Sequence, residues 1–396
     1  MRMSCFASLV FVALAAPAAA QGALPTSTLR EEWRLNTGAV DLIQIQGLTV
    51  TADGGIIVVA GQDRQVHRFE PDGRLRFSAG REGRGPGEFT APNTARPTGD
   101  SLWVHDLLAR RLTVFGPTGR YVRSVELAGT RTISAVGGPF AGRRVSGLIP
   151  DFVAADGDVV GWTSVIANGP NDASTSLLVR LGRDSTLRLI ADGIAEVRSA
   201  VDWRNAEGTS GSIMVPFAPR QLRGVSADGR RIVVAVTEPR DRGRSDLRVR
   251  VVDARSAAVT EHRASFAAIP VTRARRDSAM EAQRRIGAGP GIGGVVRRGP
   301  PPETYAAIEA RIPATADLIP GGRQLLVAPD GTMYVPLLTA DHPTPRYAVF
   351  APDGRQTAWI TPPPKVFLRA ATATHLWGIV TDDDGFPQVV RFAIVR

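Results

Sequence analysis

Cysteine is almost absent. Cys5 is the only one in 396 residues. It falls in a segment expected to be removed, which leaves the mature chain without disulfides, thiol catalysis or cysteine-ligated metal. Lysine is equally scarce: of 48 basic residues, Lys365 alone is not arginine. With alanine abundant, that skew reads as a coding bias toward arginine rather than a phosphate-binding face. Aromatic residues are only 6% of the chain, and they are not interleaved with basic residues as on a nucleic-acid platform. The formal charge of +10 could favour acidic partners in general, but no nucleic acid is expected.

Familiar catalytic signatures are missing too. His67, His105, His262, His342 and His375 show no HExxH spacing, and no Gly-x-Ser-x-Gly elbow occurs. Gly80–Gly87 and Gly287–Gly294 lack the Gly-Lys-Ser/Thr ending of a phosphate loop. Neither follows a buried strand and opens a helix, so both read as connections. No catalytic or cofactor-binding residue is assigned, and the metal question stays open because distant segments can meet at one axis.

What is present begins with a leader. Arg2, the apolar run Phe6–Ala16 and Ala18-Ala19-Ala20 before Gln21 have the form of a secretory signal cleaved after Ala20. The run is too short to span a bilayer comfortably, and no later stretch is long enough. Cys5 precedes the run, so it cannot carry a lipid at the cleavage point. Residues 1–20 are therefore expected to be a signal peptide. Residues 21–396 would be a periplasmic or secreted domain with no transmembrane segment.

Within that domain one unit recurs. Ser101–Val125 holds three short runs rich in β-branched and aromatic residues, Leu102–Val104, Leu112–Phe115 and Tyr121–Val125, which read as a meander of strands. Pro117-Thr118-Gly119 supplies the turn chemistry between the last two. Similar marker strands are Ile56–Val59, Val159–Trp162, Ile232–Val236, Met333–Val335 and Leu376–Val380, most of them after an Asp-Gly turn. Second strands follow each marker, and third strands follow many. Apolar runs precede five of the six: Leu42–Val50, Phe152–Ala155, Leu222–Val225, Leu325–Val327 and Val366–Ala371. In the second copy Ala91–Arg96 is polar and less clear.

Four strands repeated six times around an axis is an all-β, six-bladed β-propeller. The sixth copy lacks a final strand, and Leu29–Leu35 is a spare candidate that would close the ring non-covalently, with Trp33 as a packing residue. Two segments exceed the repeat, Arg131–Pro150 and the insertion 270–320. Within the insertion, Thr272–Ile286 and Glu303–Arg311 favour helix, and Gly287–Pro302 is Gly/Pro-rich. A lid over one channel mouth and a solvated excursion are both open for it.

Gly85-Pro86-Gly87-Glu88-Phe89 with Pro92, Val104-His105-Asp106, and Arg111–Phe115 resemble the NHL-like six-bladed propellers. There a Gly-rich turn ends in Gly-x-Phe, an aspartate follows the marker strand and Arg-x-x-x-Phe begins the next. The likeness covers roughly Ile56–Tyr121 and again Leu325–Ile360. It implies a propeller and leaves activity open, because this superfold hosts binding proteins, lyases and lactonases.

His105-Asp106 and Asp341-His342 occupy similar places in two copies, so a paired site is conceivable. The stronger reading is that these aspartates accept backbone N–H bonds in turns. Asp63 and Asp382 sit at comparable points. The Asp382-Asp383-Asp384 run could offer oxygens to Ca²⁺ but lacks EF-hand spacing. Trp103 and Trp377 read as packing between blades. The leading expectation is an exported scaffold that binds a protein or small-molecule ligand. The alternative is a metal-dependent lactonase-like hydrolase or a lyase with its site at the axis, and Ca²⁺ enters only there.

Overall fold

The computed structural model describes residues 24–35, 40, 42–51, 53–127, 131–132, 140–154, 156–166, 176–192, 199–206, 208–287, 300–372 and 374–395. The leader 1–20 and part of the insertion lie outside these. The protein is an all-β fold with a propeller-like arrangement and, among the described residues, two helices, α1 (Arg273–Gly287) and α2 (Pro302–Arg311). Among the described residues no helix is long and apolar enough to cross a membrane.

Four sheets are simple four-stranded antiparallel meanders: Ile45–Ala79, Pro92–Glu126, Ile149–Ala191 and Gln221–Ala267. An eight-stranded sheet completes the set. It comprises a meander over Leu326–Ile360, a second over Val366–Val395, and the N-terminal strand Thr26–Arg34 between them. That strand is antiparallel to Pro387–Val395 over most of its length. It meets Gln356–Ile360 only through a two-pair parallel contact, Thr26 with Trp359 and Ser27 with Ile360. Most of the spare segment Leu29–Leu35 thus lies in the strand Thr26–Arg34 that completes the last meander, as the missing strand of the sixth copy suggested.

The reason for the meanders is local. Second strands such as Ile56–Ala60 are buried at every position, because each is covered on both faces by neighbouring sheets, and continuous Val/Ile runs suit that environment. Most turns between the first and second strands use an Asp-Gly pair; at one of them Asp330 accepts the Thr332 N–H at 2.9 Å while Gly331 takes φ 92°, a conformation that only glycine adopts readily.

Apolar clusters lie between consecutive sheets. Ile57, Val59 and Phe89 pack with Leu102, Val104 and Phe115 between the first and second. Val233, Leu247 and Val249 meet Met333, Val335 and Phe350 further round. Ile56, Val58 and Phe69 of the first meander meet Trp377 and Val389 of the last. Trp33 stands edge-on to Trp377 at 5.8 Å, so the N-terminal strand also braces that junction. First strands of neighbouring meanders touch: Thr49 Oγ1 donates to Ala95 O and Thr98 Oγ1 to Val153 O, each at 2.8 Å, and Arg323, just ahead of the strand Leu326–Val327, donates to Val366 O. These inner strands therefore surround a common axis.

Several details depart from the sequence reading. The third inner strand is Ile149–Val153, three residues earlier than the apolar run Phe152–Ala155 suggested. The polar stretch in the second copy is a full strand, Pro92–Thr98. A hairpin, Ala200–Arg204 with Ser210–Met214, had no strand signal because its second arm is Ser/Gly-rich. Both expected helices form within a residue or so of their expected limits.

Candidate functional site

The sequence motifs turn out to be structural. Asp106 is fully buried, and its carboxylate accepts the backbone N–H groups of Thr90, Ala91 and Ala109 at 2.7, 3.0 and 3.0 Å. It ties the second meander to the connection entering it. His105 beside it is also buried, and burial pushes its imidazole down to about 4, so it is a neutral core histidine. Asp341 is exposed and paired with Arg346 at 3.2 Å, and His342 turns onto Thr344 O at 2.8 Å. Asp382 accepts the Asp384 and Phe386 N–H groups at 3.1 and 2.8 Å, which makes the acidic run a hairpin turn. The charge of Asp63 acts on His67. Trp103 and Trp377 are buried. Among the described residues no three of His, Cys, Asp and Glu gather in one place.

The Gly-rich connection also has a structural account. Phe89 is buried against Phe115, with ring centroids 5.8 Å apart. Gly80 at φ 92° leaves room for that ring, which a Cβ would strike. Arg111 donates to the carbonyls of Arg84, Gly85 and Glu88 at 2.9, 3.1 and 2.6 Å. The Gly-x-Phe and Arg-x-x-x-Phe spacings therefore describe one packed corner.

The functional candidate lies on the axis. A cavity of about 210 Å³ is bounded by residues from all the inner strands, including Thr49, Arg96, Asp151, Arg223, Leu326 and Arg369. Its lining falls mainly in the later halves of those strands, on the side where they turn into the second strands. Two of the polar residues owe their position to β-bulges. The register slips between Pro150 and Phe152, and again between Leu368 and Ala370. The extra residues are Asp151 and Arg369. A bulge adds one residue and re-aims its side chain, which is how a charged group enters an otherwise apolar inner strand.

The charges are coupled. Asp151 Oδ2 accepts the Trp162 Nε1–H at 2.6 Å, and the Arg223 guanidinium lies 4.2 Å from the centre of the Trp162 ring. Burial pushes the Asp151 carboxyl above the usual range, against the opposing pull of the Trp162 N–H, Arg96 and Arg223. Burial likewise pushes Arg96 down, against Asp151, and its Nε has no hydrogen-bond partner. Arg369 is lowered by burial and by the neighbouring Arg323. Burial penalises either sign of charge here; what favours an anion is the excess of three arginines over one carboxylate in the lining. Chemically the cavity can hold and orient an anion.

The insertion is elsewhere. Connections from an outer strand to the next inner strand emerge at the end opposite the cavity-side turns, because strands alternate direction within a meander. The insertion is such a connection, and none of its described residues between 270 and 320 lines the cavity. Instead α1 and α2 pack on the hairpin through Met280, Ile308, Val201 and Val215. Asp317 fastens them by accepting the Arg220 N–H at 2.7 Å and the Thr237 hydroxyl.

No family of known proteins matches the chain by sequence model, and no curated protein matches it. Solved structures do. Regucalcin, a calcium-binding protein from Agrobacterium tumefaciens, is similar at 12% identity and a TM-score of 0.39, over 94% of this chain and 96% of that one. Virginiamycin B lyase from Staphylococcus aureus gives 11% identity and 0.38, over 92% and 99%. A DUF4221 family member from Bacteroides vulgatus gives 10% and 0.47, over 92% and 98%.

Proposed function

We propose that this chain is an exported six-bladed β-propeller, NHL-like in its first two blades, that binds a small-molecule ligand in its axial cavity. Counting the two halves of the eight-stranded sheet as separate blades gives six, and the N-terminal strand is then the closing strand of the last. The observation that carries the binding role is the convergence of Arg96, Asp151, Arg223 and Arg369, from four different inner strands, on one cavity. Burying charged groups costs stability unless they are paired, and this lining sets three arginines against a single carboxylate. The hydrolase or lyase alternative asks the axis for several oxygen or nitrogen donors around a cation. The lining supplies one carboxylate facing arginines, a donor set better suited to an anion than to Ca²⁺.

The role is tested by thermal shift against a small-molecule library, using the protein and Ala227→Trp, which fills the cavity rim. A ligand at a hundred times its Kd should add about 2.7 kcal/mol, roughly a few degrees in Tm for a domain of this size. The shift should vanish in Ala227→Trp, whose own Tm should be unchanged. Shifts of equal size in both proteins, or none in either, would remove the axial site from the account.

A further inference from the structure

Resting on the reading of the axial cavity as a ligand site, we infer that its occupant is a small doubly charged oxyanion, a dicarboxylate or a phosphate monoester, gripped by Arg96, Arg223 and Arg369. Three guanidiniums and one carboxylate line the cavity. With Asp151 ionised the lining carries two positive charges in excess, and a dianion neutralises them. The three arginines come from three different inner strands, so their planar forks approach from different directions. That geometry suits an oxyanion with several acceptor oxygens, because a guanidinium donates paired hydrogen bonds to carboxylate or phosphate. Arg96 Nε is a buried donor without a partner in the protein, and a ligand oxygen would satisfy it. Arg223 is held over the Trp162 ring, 4.2 Å from its centre, which restrains the position of its guanidinium. The volume of about 210 Å³ admits a compact metabolite and not a polymer.

Asp151 makes the binding depend on pH. The charged groups facing it are Arg96 from the second meander and Arg223 from the fourth, with the Trp162 N–H from its own; Arg369 lines the same cavity. With Asp151 ionised the lining carries two positive charges in excess and with it protonated three, so a dianion is accepted in either state and held more tightly when Asp151, whose ionisation burial disfavours, takes a proton. Affinity therefore rises as pH falls through the titration of Asp151 and falls as the carboxylate forms.

Calorimetric titration with oxalate and with sulfate, which are dianions at both pH 5.5 and pH 8, tests this, with glucose as the neutral control. At least one dianion should bind, more tightly at pH 5.5, and the tighter of the two shows which oxyanion class the site prefers. Arg369→Gln should weaken binding by about tenfold or more, and Arg369→Lys, which keeps the charge and loses the fork, should fall between. Asp151→Asn should bind more tightly at pH 8 and lose the pH dependence. The inference is overturned if neither dianion binds while a neutral compound does so in a manner blocked by Ala227→Trp; the axial site then stands and only its ligand class is wrong. If nothing binds in an Ala227→Trp-sensitive manner, the axial reading falls as well.

Discussion

A chain beginning after Leu35 does not yield a soluble monomer. Thr26–Arg34 is hydrogen-bonded on both sides, to Pro387–Val395 and briefly to Gln356–Ile360. Its removal exposes two sheet edges at once, and open edges template association. It also strips Leu35, Trp33 and Leu29 from the clusters at both ends of the last meander. Full burial of a large side chain contributes about 1.5–3 kcal/mol; Leu35 is buried and Trp33 and Leu29 half-buried, so their loss together with a nine-residue strand takes a large share of the margin of about 5–15 kcal/mol typical of a domain. Size-exclusion chromatography and circular dichroism check this. The expected result is aggregate or a broad, non-cooperative melt, and a monomer with an unshifted Tm would show that the strand is ornamental. Adding a peptide of residues 24–35 should restore part of the lost cooperativity.

Asp106→Ala should be the most damaging single substitution in the second meander. It deletes one buried carboxylate and strands three backbone N–H groups that have it as acceptor. An unsatisfied buried donor costs about 1–3 kcal/mol, and partial relief by relaxation or water leaves a loss of about 3–5 kcal/mol. Urea unfolding measures it as a lower midpoint at constant slope. Asp106→Asn keeps one acceptor oxygen and should lose less than half as much. A loss below about 1 kcal/mol in Asp106→Ala would mean that the connection Gly80–Ala91 holds itself in place.

Much of this architecture is legible in the residues because its determinants are local. The Asp-Gly turns and the Val/Ile runs between them, such as Gly54-Gly55 before Ile56–Val59, specify strand, turn and strand without reference to the rest of the chain. The role of Leu29–Leu35 was legible by subtraction, since one meander was a strand short. The lining of the axis was not. Arg223 and Arg369 sit inside apolar runs, Leu222–Val225 and Val366–Ala371, but in a chain with this many arginines two more draw no notice. Asp151 lies just before the run that marked its strand. The placement of Asp151 and Arg369 depends on a one-residue slip in register, a slip also present at Gln46 and Asn93, and register is a property of the pairing rather than of either strand alone. The polarity of Ala91–Arg96 was the one usable signal: an inner strand is polar where it faces a wet cavity, and Arg96 is the residue that does so.

The direct measurement is the location of a heavy oxyanion in crystals of the protein. Selenate is a tetrahedral dianion, and its selenium gives an anomalous signal that needs no assumption about the ligand. The account predicts the strongest peak on the axis, within hydrogen-bonding reach of Arg96, Arg223 and Arg369, and its disappearance in Arg369→Gln. Peaks confined to the exposed arginines of α1 or other surface sites, with the axis empty at saturating selenate, would contradict it.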